Sequence, residues 1–212
     1  MKKTLVAIPC MDTVPAQFAQ SLAMLQKKGE VAVSFQIGSL IYTSRNNLAK
    51  RAIQYGADYV LWLDSDMIFE PTTLTDMLDI LEKNNLDILT GVYYRRVPPF
   101  TPVLLKTLEI AEDGKCEHAN LEELPSADLF EVAGCGFGAV LMKTEIFIDV
   151  MAKFGYMFDP LGGVGEDLSF CWRARQCGYK IMATTALDWG HWGHNVITRE
   201  FYEQYQRAKT LK

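Results

Sequence analysis

Apolar residues recur along the chain in two alternating rhythms. Short apolar runs at "TLVAIPC" (4–10), "VAVSFQIG" (31–38), "YVLWL" (59–63) and "DILTGVYY" (87–94) predict strands, the continuous ones buried on both faces. Between them the spacing is helical. Phe18, Leu22 and Leu25 mark a helix over 15–28 that Gly29 stops. Leu48, Ala49, Ala52 and Ile53 form the stripe of a second helix, with Ser44 as its N-cap and its end near Gly56. Pro71 opens a third that runs to Lys83. Strands alternating with helices in this way predict an α/β fold, a mostly parallel sheet with helices on both faces.

The rhythm breaks between Arg95 and about Leu129. The first part of that stretch, "YRRVPPFTPVLLKTLEIAEDGKCEH" (94–118), holds three prolines and an Asp-Gly turn between alternating segments, so a flap around 95–130 is expected to leave the sheet as a hairpin or a mobile element. "FEVAGCGFGAVLMKTEIF" (130–147) returns as a strand whose three glycines let something approach the backbone closely. Gly165 precedes another helix, "EDLSFCWRARQCG", with Leu168, Cys171 and Trp172 on one face and Gly178 at its end. "YKIMATT" is the last strand and "LDWGHWGHN" a polar loop. With no repeat, low-complexity tract or linker, residues 1–212 read as a single domain.

Composition narrows the function class. Of 212 residues, 49% are hydrophobic and 22% charged, which is ordinary for a globular chain and argues against disorder. A net charge of -5 leaves no basic excess to neutralise phosphates, so nucleic acid is not the expected partner. Five cysteines without a CxxC pair point to reduced thiols in a cytoplasmic protein, rather than to a disulfide framework or a zinc site. "MKKTLVAIPCM" begins like a leader, but its apolar run is about half the ~7–15 residues of a signal core, so a buried first strand is expected. No segment approaches the ~18–20 apolar residues of a membrane span, which predicts a soluble protein without an integral membrane segment.

Chemistry concentrates in a few places. "YVLWLDSDMIF" ends a buried strand in two carboxylates, Asp64 and Asp66. On an extended chain both would turn to one side, with Ser65 facing away, at the carboxyl end where open α/β sheets bind ligands. Two such charges call for a cation, and hard oxygen ligands suit Mg2+ or Mn2+, which can bridge a diphosphate. A solvated turn is the plainer alternative. Arg45 and Asn46, in the first turn of their helix, are placed to donate to phosphate or ribose, against simple surface solvation. Glu166 and Asp167 open a helix, a position that favours acidic side chains in any case, behind a pliant loop holding Gly162, Gly163 and Gly165. His191 and His194 are two of only three histidines and stand close together among glycines and tryptophans; His118 is assigned no role. Arg95 and Arg96 could clamp the diphosphate or the acceptor, but exposed flap charges are more often simply solvated.

These stretches resemble, in order and spacing, the glycosyltransferases of the GT-A fold, close to family 2. "LWLDSDM" is similar to the DxD motif and "SRNNLAKRAIQYGADY" to the Arg-Asn helix before it. "GCGFGAVLMKTEIF" looks like the glycine-bearing strand, and "GEDLSFCWRARQCGYKI" resembles the Glu-Asp helix start with its downstream basic residue and glycine. The resemblance spans about residues 1–195. It implies a Rossmann-like GT-A fold, a nucleoside-diphosphate sugar donor, an acceptor hydroxyl on a saccharide, protein or small molecule, and Mn2+ or Mg2+. It further implies that Asp64, Ser65, Asp66, Arg45, Asn46 and Pro9 face the donor, and that Asp64, Asp66 and His191 hold the metal. "GHWG" resembles a Gly-His-x-Gly element, which ranks His191 above His194. Asp167 is the implied general base of an inverting transfer, with Glu166 beside it. "PCMDT" replaces the Asn-Glu pattern common after the first strand, and no acceptor domain is visible. The alternatives are a catalytically inactive nucleotide-sugar-binding or interaction module, and a haloacid-dehalogenase-type phosphatase. The latter carries its Asp-x-Asp on the first strand, followed by Gly-Thr or Gly-Val; here the pair follows the third strand and "MIF" comes next.

Overall fold

The computed structural model describes residues 1–111, 113–193 and 196–210. The first half of the chain runs β1 (Lys3–Cys10), α1 (Ala16–Met24), β2 (Glu30–Ile37), α2 (Ile41–Tyr55), β3 (Tyr59–Leu63), β4 (Met67–Phe69), α3 (Thr73–Lys83) and β5 (Ile88–Gly91). A hairpin of β6 (Leu104–Ile110) and β7 (Cys116–Asn120) comes next, then β8 (Leu129–Val132), β9 (Gly134–Cys135) and β10 (Ala139–Lys143). The rest is α4 (Glu145–Phe154), α5 (Glu166–Gln176), β11 (Ile181–Thr184), β12 (Trp189–His191) and α6 (Arg199–Thr210).

Seven strands form the main sheet in the order β2-β1-β3-β10-β5-β11-β8. The alternation of side chains along each strand supplies both of its cores. Val60 and Trp62 of β3 join Leu48 of α2, Phe147 of α4 and Phe170 of α5 on one face. Tyr59, Leu61 and Leu63 join Phe18 of α1 and Met77 of α3 on the other. Helices therefore cover both faces, as the buried strand runs required. The first face is aromatic: Phe158 and Phe170 stack with centroids 4.4 Å apart, and Trp62 lies 5.3 Å from Phe158. Truncating one of these rings would cost about 3–5 kcal/mol, so the floor beneath the amino end of α5 is firm.

Two expectations, the mostly parallel sheet and the hairpin, hold in a sharper form, and two need correction. β10 runs antiparallel between β3 and β5, and β8 runs antiparallel to β11. Apolar periodicity carries no information about strand direction, so the parallel expectation holds only for the other five strands. The single strand expected over 130–147 is divided among β8, β9, β10 and the start of α4, in two sheets. What approaches its glycines is Tyr93. A Cβ on Gly136 would stand 2.3 Å from the Tyr93 hydroxyl, and the Gly138 N–H donates to that hydroxyl at 3.0 Å. The segment expected as a hairpin or mobile flap is a hairpin packed against the body: Leu104, Leu105 and Leu108 are buried, and β6 also pairs with β9. Finally, α2 begins at Ile41, with Leu40 at its N-cap. Ser44 is then one turn inside the helix, buried, with its Oγ 2.6 Å from that of Ser39. Ile53 faces solvent.

Four elements had no counterpart in the apolar pattern: β4, most of α4, β12 and α6. β12 pairs with β4, setting His191 opposite Met67. α6 lays Phe201 and Tyr205 edge-on against Phe100, while Tyr202 stacks on Tyr94 at 4.5 Å. All five cysteines are free. Among the described residues, no helix is long and apolar enough to cross a membrane.

Candidate active site

β3 ends at Leu63 and the chain turns at once, the Met67 N–H closing onto the Asp64 carbonyl at 3.1 Å. The carboxylates thus sit on a turn rather than on an extended strand. Asp64, Ser65 and Asp66 all line one cavity of about 340 Å³, so Ser65 does not face away. Pro9, at the end of β1, lines it too, as do Arg45 of α2 and Glu166 and Asp167 of α5. The cavity lies at the carboxyl ends of β1 and β3, the expected place for a ligand in such a sheet.

One wall is built on Arg45. Its helical position puts it on the stripe that buries Ser44, Leu48, Ala49 and Ala52, so it points inward instead of into solvent. Only 3% of its side chain is exposed. Nη2 donates to Asp64 Oδ1 and Nε to Glu166 Oε1, both at 2.9 Å. The guanidinium lies 5.2 and 5.6 Å from the ring centroids of Phe137 and Trp62. Burial opposes its charge, but Asp64 and Glu166 outweigh that and hold its pKa above the usual arginine value. Nη1 is buried without a hydrogen-bond partner among the described residues.

Asp167, next along α5, is half-buried. Its Oδ1 accepts the Leu168 N–H at 2.7 Å, which leaves Oδ2 without a protein hydrogen bond among the described residues. Burial, reinforced by the negative charge of Glu166, pushes its carboxyl up to about 6; Arg45 and the Leu168 N–H pull the other way. A carboxylate poised near neutrality suits proton abstraction.

The opposite wall is built on Asp66. The Trp192 N–H donates to its carbonyl at 2.8 Å, so the β4–β12 ribbon holds the turn in place and delivers His191. His191 Nδ1 lies 2.8 Å from the Tyr94 carbonyl, which can only accept, so the ring donates from Nδ1. In the neutral ring this leaves the Nε2 lone pair 3.5 Å from Asp66 Oδ2. Two acceptors facing each other repel unless a proton or a cation lies between them. Arg96 of the flap reaches the same oxygen, with Nη1 at 2.9 Å. Burial works to raise the Asp66 carboxyl, but the His191 ring and Arg96 outweigh it and hold the carboxyl below its ordinary value.

Asp66 could supply the hard oxygen that Mn2+ or Mg2+ prefers, and His191, its other N–H fixed by a carbonyl, a neutral nitrogen ligand of the kind transition ions accept. Among the described residues, no three histidine, cysteine or acidic side chains converge to enclose a metal ion.

Of the residues singled out in the sequence, Asp64, Ser65, Asp66, Arg45, Pro9, Glu166 and Asp167 meet in the cavity wall, and His191 touches Asp66. Asn46 does not line the cavity. Its amide donates to Asp159 and accepts the Phe158 N–H, both at 3.0 Å, which ties α2 to the loop before α5. Neither Arg45 nor Asn46 lies in the first turn of α2, because the helix begins at Ile41 rather than after a Ser44 cap. His194 lies outside the described residues. The contact of Arg96 with Asp66 and the part played by the Tyr94 carbonyl were missed. Arg96 looks in sequence like any flap charge, and a backbone carbonyl leaves no sequence signal at all.

A family model described as "Glycosyl transferase family 2" matches residues 25–150, a span that holds Arg45, Asp64, Asp66 and Arg96. The crystal structure of A197 from STIV is similar at a TM-score of 0.65 and 16% identity, over 93% of this chain and 94% of that one. The crystal structure of GalNAc-T7 with UDP, GalNAc and Mn2+ is similar at a TM-score of 0.60 and 11% identity. That likeness covers 98% of this chain and 48% of the longer one. At such identities the likeness is one of fold, the GT-A arrangement of a Rossmann-like sheet with helices on both faces.

Proposed function

The chain belongs to glycosyl transferase family 2, and on that premise we propose that it moves a sugar from a nucleoside-diphosphate sugar to an acceptor hydroxyl with inversion at the anomeric carbon. The observation that carries this reading is the cavity itself: one carboxylate, Asp167, keeps a free oxygen and a raised pKa, across from a second, Asp66, paired with His191. The UDP and Mn2+ of the GalNAc-T7 complex support the donor class and the cation by analogy of fold.

In this reading Asp167 takes the acceptor proton as the acceptor oxygen bonds to the anomeric carbon. The bond from that carbon to the diphosphate breaks, and its electron pair leaves on the diphosphate oxygen. Direct displacement from the acceptor side inverts configuration. Asp66 and His191 would hold Mn2+ or Mg2+, and Asp64, with Oδ1 on Arg45, keeps Oδ2 for a second contact. The bound cation would offset negative charge on the departing diphosphate. Arg45 fixes Asp64 and Glu166 in place. Ser65 and Pro9 shape the floor against which the donor lies.

The test is a panel of nucleotide-sugars incubated with Mn2+ and candidate acceptors. Release of free nucleoside diphosphate identifies the donor, and NMR of the product gives the anomeric configuration. A retained configuration removes any role for Asp167 as the base of direct displacement. Donor binding without turnover across the panel would favour the binding-module alternative.

A further inference from the structure

Arg96 is a cation standing on the oxygen that the proposed function offers to a metal. Its Nη1 lies 2.9 Å from Asp66 Oδ2, the oxygen that also faces His191 Nε2. The same nitrogen is 3.4 Å from the Trp192 carbonyl. One guanidinium nitrogen thereby joins the flap, the Asp66 turn and the segment after β12. The base of the flap is fastened separately: the Arg95 N–H donates to the Thr101 carbonyl at 3.0 Å, Tyr94 bridges to Pro102, and Phe100 is held by Phe201 and Tyr205. Its tip is held by Arg96, next to an exposed Val97, and more loosely by Gln206 of α6, whose amide donates to the Pro99 carbonyl at 3.4 Å.

We propose that Arg96 is a built-in gate on the cation site. It neutralises Asp66 in the absence of metal, and a divalent cation arriving at Asp66 and His191 competes with it and displaces it, which loosens the tip of the flap. The proposal rests on the reading that Asp66 and His191 receive that cation. Three observations support the exchange. A guanidinium and a divalent cation drawn to one carboxylate oxygen repel each other, so the two compete for Asp66 Oδ2. The Arg96 side chain is 49% exposed, against 3% for Arg45 on the neighbouring aspartate, so only Arg96 can leave into water. A half-exposed ion pair is also weak enough to be displaced. Release on loading would leave a free guanidinium beside Asp66, within reach of any anionic donor.

The test is Mn2+ binding to the full chain without nucleotide, followed by the EPR signal of free Mn2+, for the native protein and for Arg96→Gln, Arg96→Lys and Asp66→Asn. Arg96→Gln is expected to bind Mn2+ about two- to fivefold more tightly, the equivalent of a part-exposed ion pair. Arg96→Lys keeps the charge and should stay near the native value. In parallel, hydrogen exchange over residues 95–101 should rise on adding Mn2+ to the native protein, and should already be raised in Arg96→Gln. Native and Arg96→Gln proteins of equal Mn2+ affinity, with Asp66→Asn weakened, would overturn the gate and leave the cation reading standing. Mn2+ binding that is absent from the native protein, or indifferent to Asp66→Asn, would overturn both.

Discussion

Asp64 and Asp66 are two residues apart, and each carries an arginine, yet the two pairs are built differently. Arg45 reaches Asp64 from the buried stripe of a helix, shares its charge with Glu166 and is shielded by aromatic rings. Arg96 reaches Asp66 from a solvent-facing flap, alongside an imidazole. The first pair is part of the framework; breaking it would strand charge inside the protein. The second lies at a rim where water, or a metal, can replace a partner at little cost. The aspartates themselves are similarly exposed, 33% for Asp64 and 24% for Asp66; what separates the two pairs is burial of the arginine, which makes the Arg45 pair costly to break and the Arg96 pair weak.

The contrast between the two walls can be broken in several ways, taken from the largest expected effect downward. Asp167→Asn keeps the shape of the buried wall but removes proton acceptance, so turnover should fall about 10²–10⁴-fold while donor affinity persists. In the native enzyme, kcat/KM should rise with pH through about 6, the value set by burial with Glu166, Arg45 and Asp64 around the group; that limb should vanish in the variant. The same shift has a stability consequence. Between the ordinary carboxylate value of 3.8 and about 6 the folded state holds a proton that the unfolded state has lost, so stability falls as pH rises through that window. Asp167→Asn should therefore stabilise the fold against urea at pH 8, by at most about 3 kcal/mol, and leave its stability unchanged at pH 3.

Arg45→Met preserves packing against Trp62 and Phe137 but leaves two carboxylates without their cation. Urea denaturation should show a loss of about 3–5 kcal/mol. A loss under about 1 kcal/mol, the worth of an exposed pair, would erase the distinction between the two walls. For the aspartates the expected effects cross over. Asp66→Asn should weaken Mn2+-dependent nucleoside-diphosphate binding at least about tenfold, as should His191→Ala, with little change in melting temperature. Asp64→Asn should do the reverse, and calorimetry of both variants reads the ranking. The smallest effect belongs to the outer pair: Arg96→Gln should cost less than about 1 kcal/mol of stability.

Much of the scaffold was legible in the amino-acid order because its cause is local. Alternation along β3 and a 3.6-residue stripe in α2 and α5 arise from backbone geometry, and they require two cores on either side of one sheet. The position of Asp64 and Asp66 just past a buried strand, and of Glu166 and Asp167 at a helix start, was legible for the same reason. The partners of those residues were not. Arg45 finds Asp64 from 19 residues away and Glu166 from 121, and periodicity is silent about which helix stripe meets which strand end. The direction of β10, the turn that brings Ser65 into the cavity, the β4–β12 ribbon that carries His191 to Asp66 and the carbonyl that selects its tautomer all depend on packing between distant segments. The sequence by itself determined which side chains could carry charge into the crevice. Only the tertiary structure decided which of those charges are buried and locked and which stand at the rim, because the strength of an ion pair depends on the solvent it displaces.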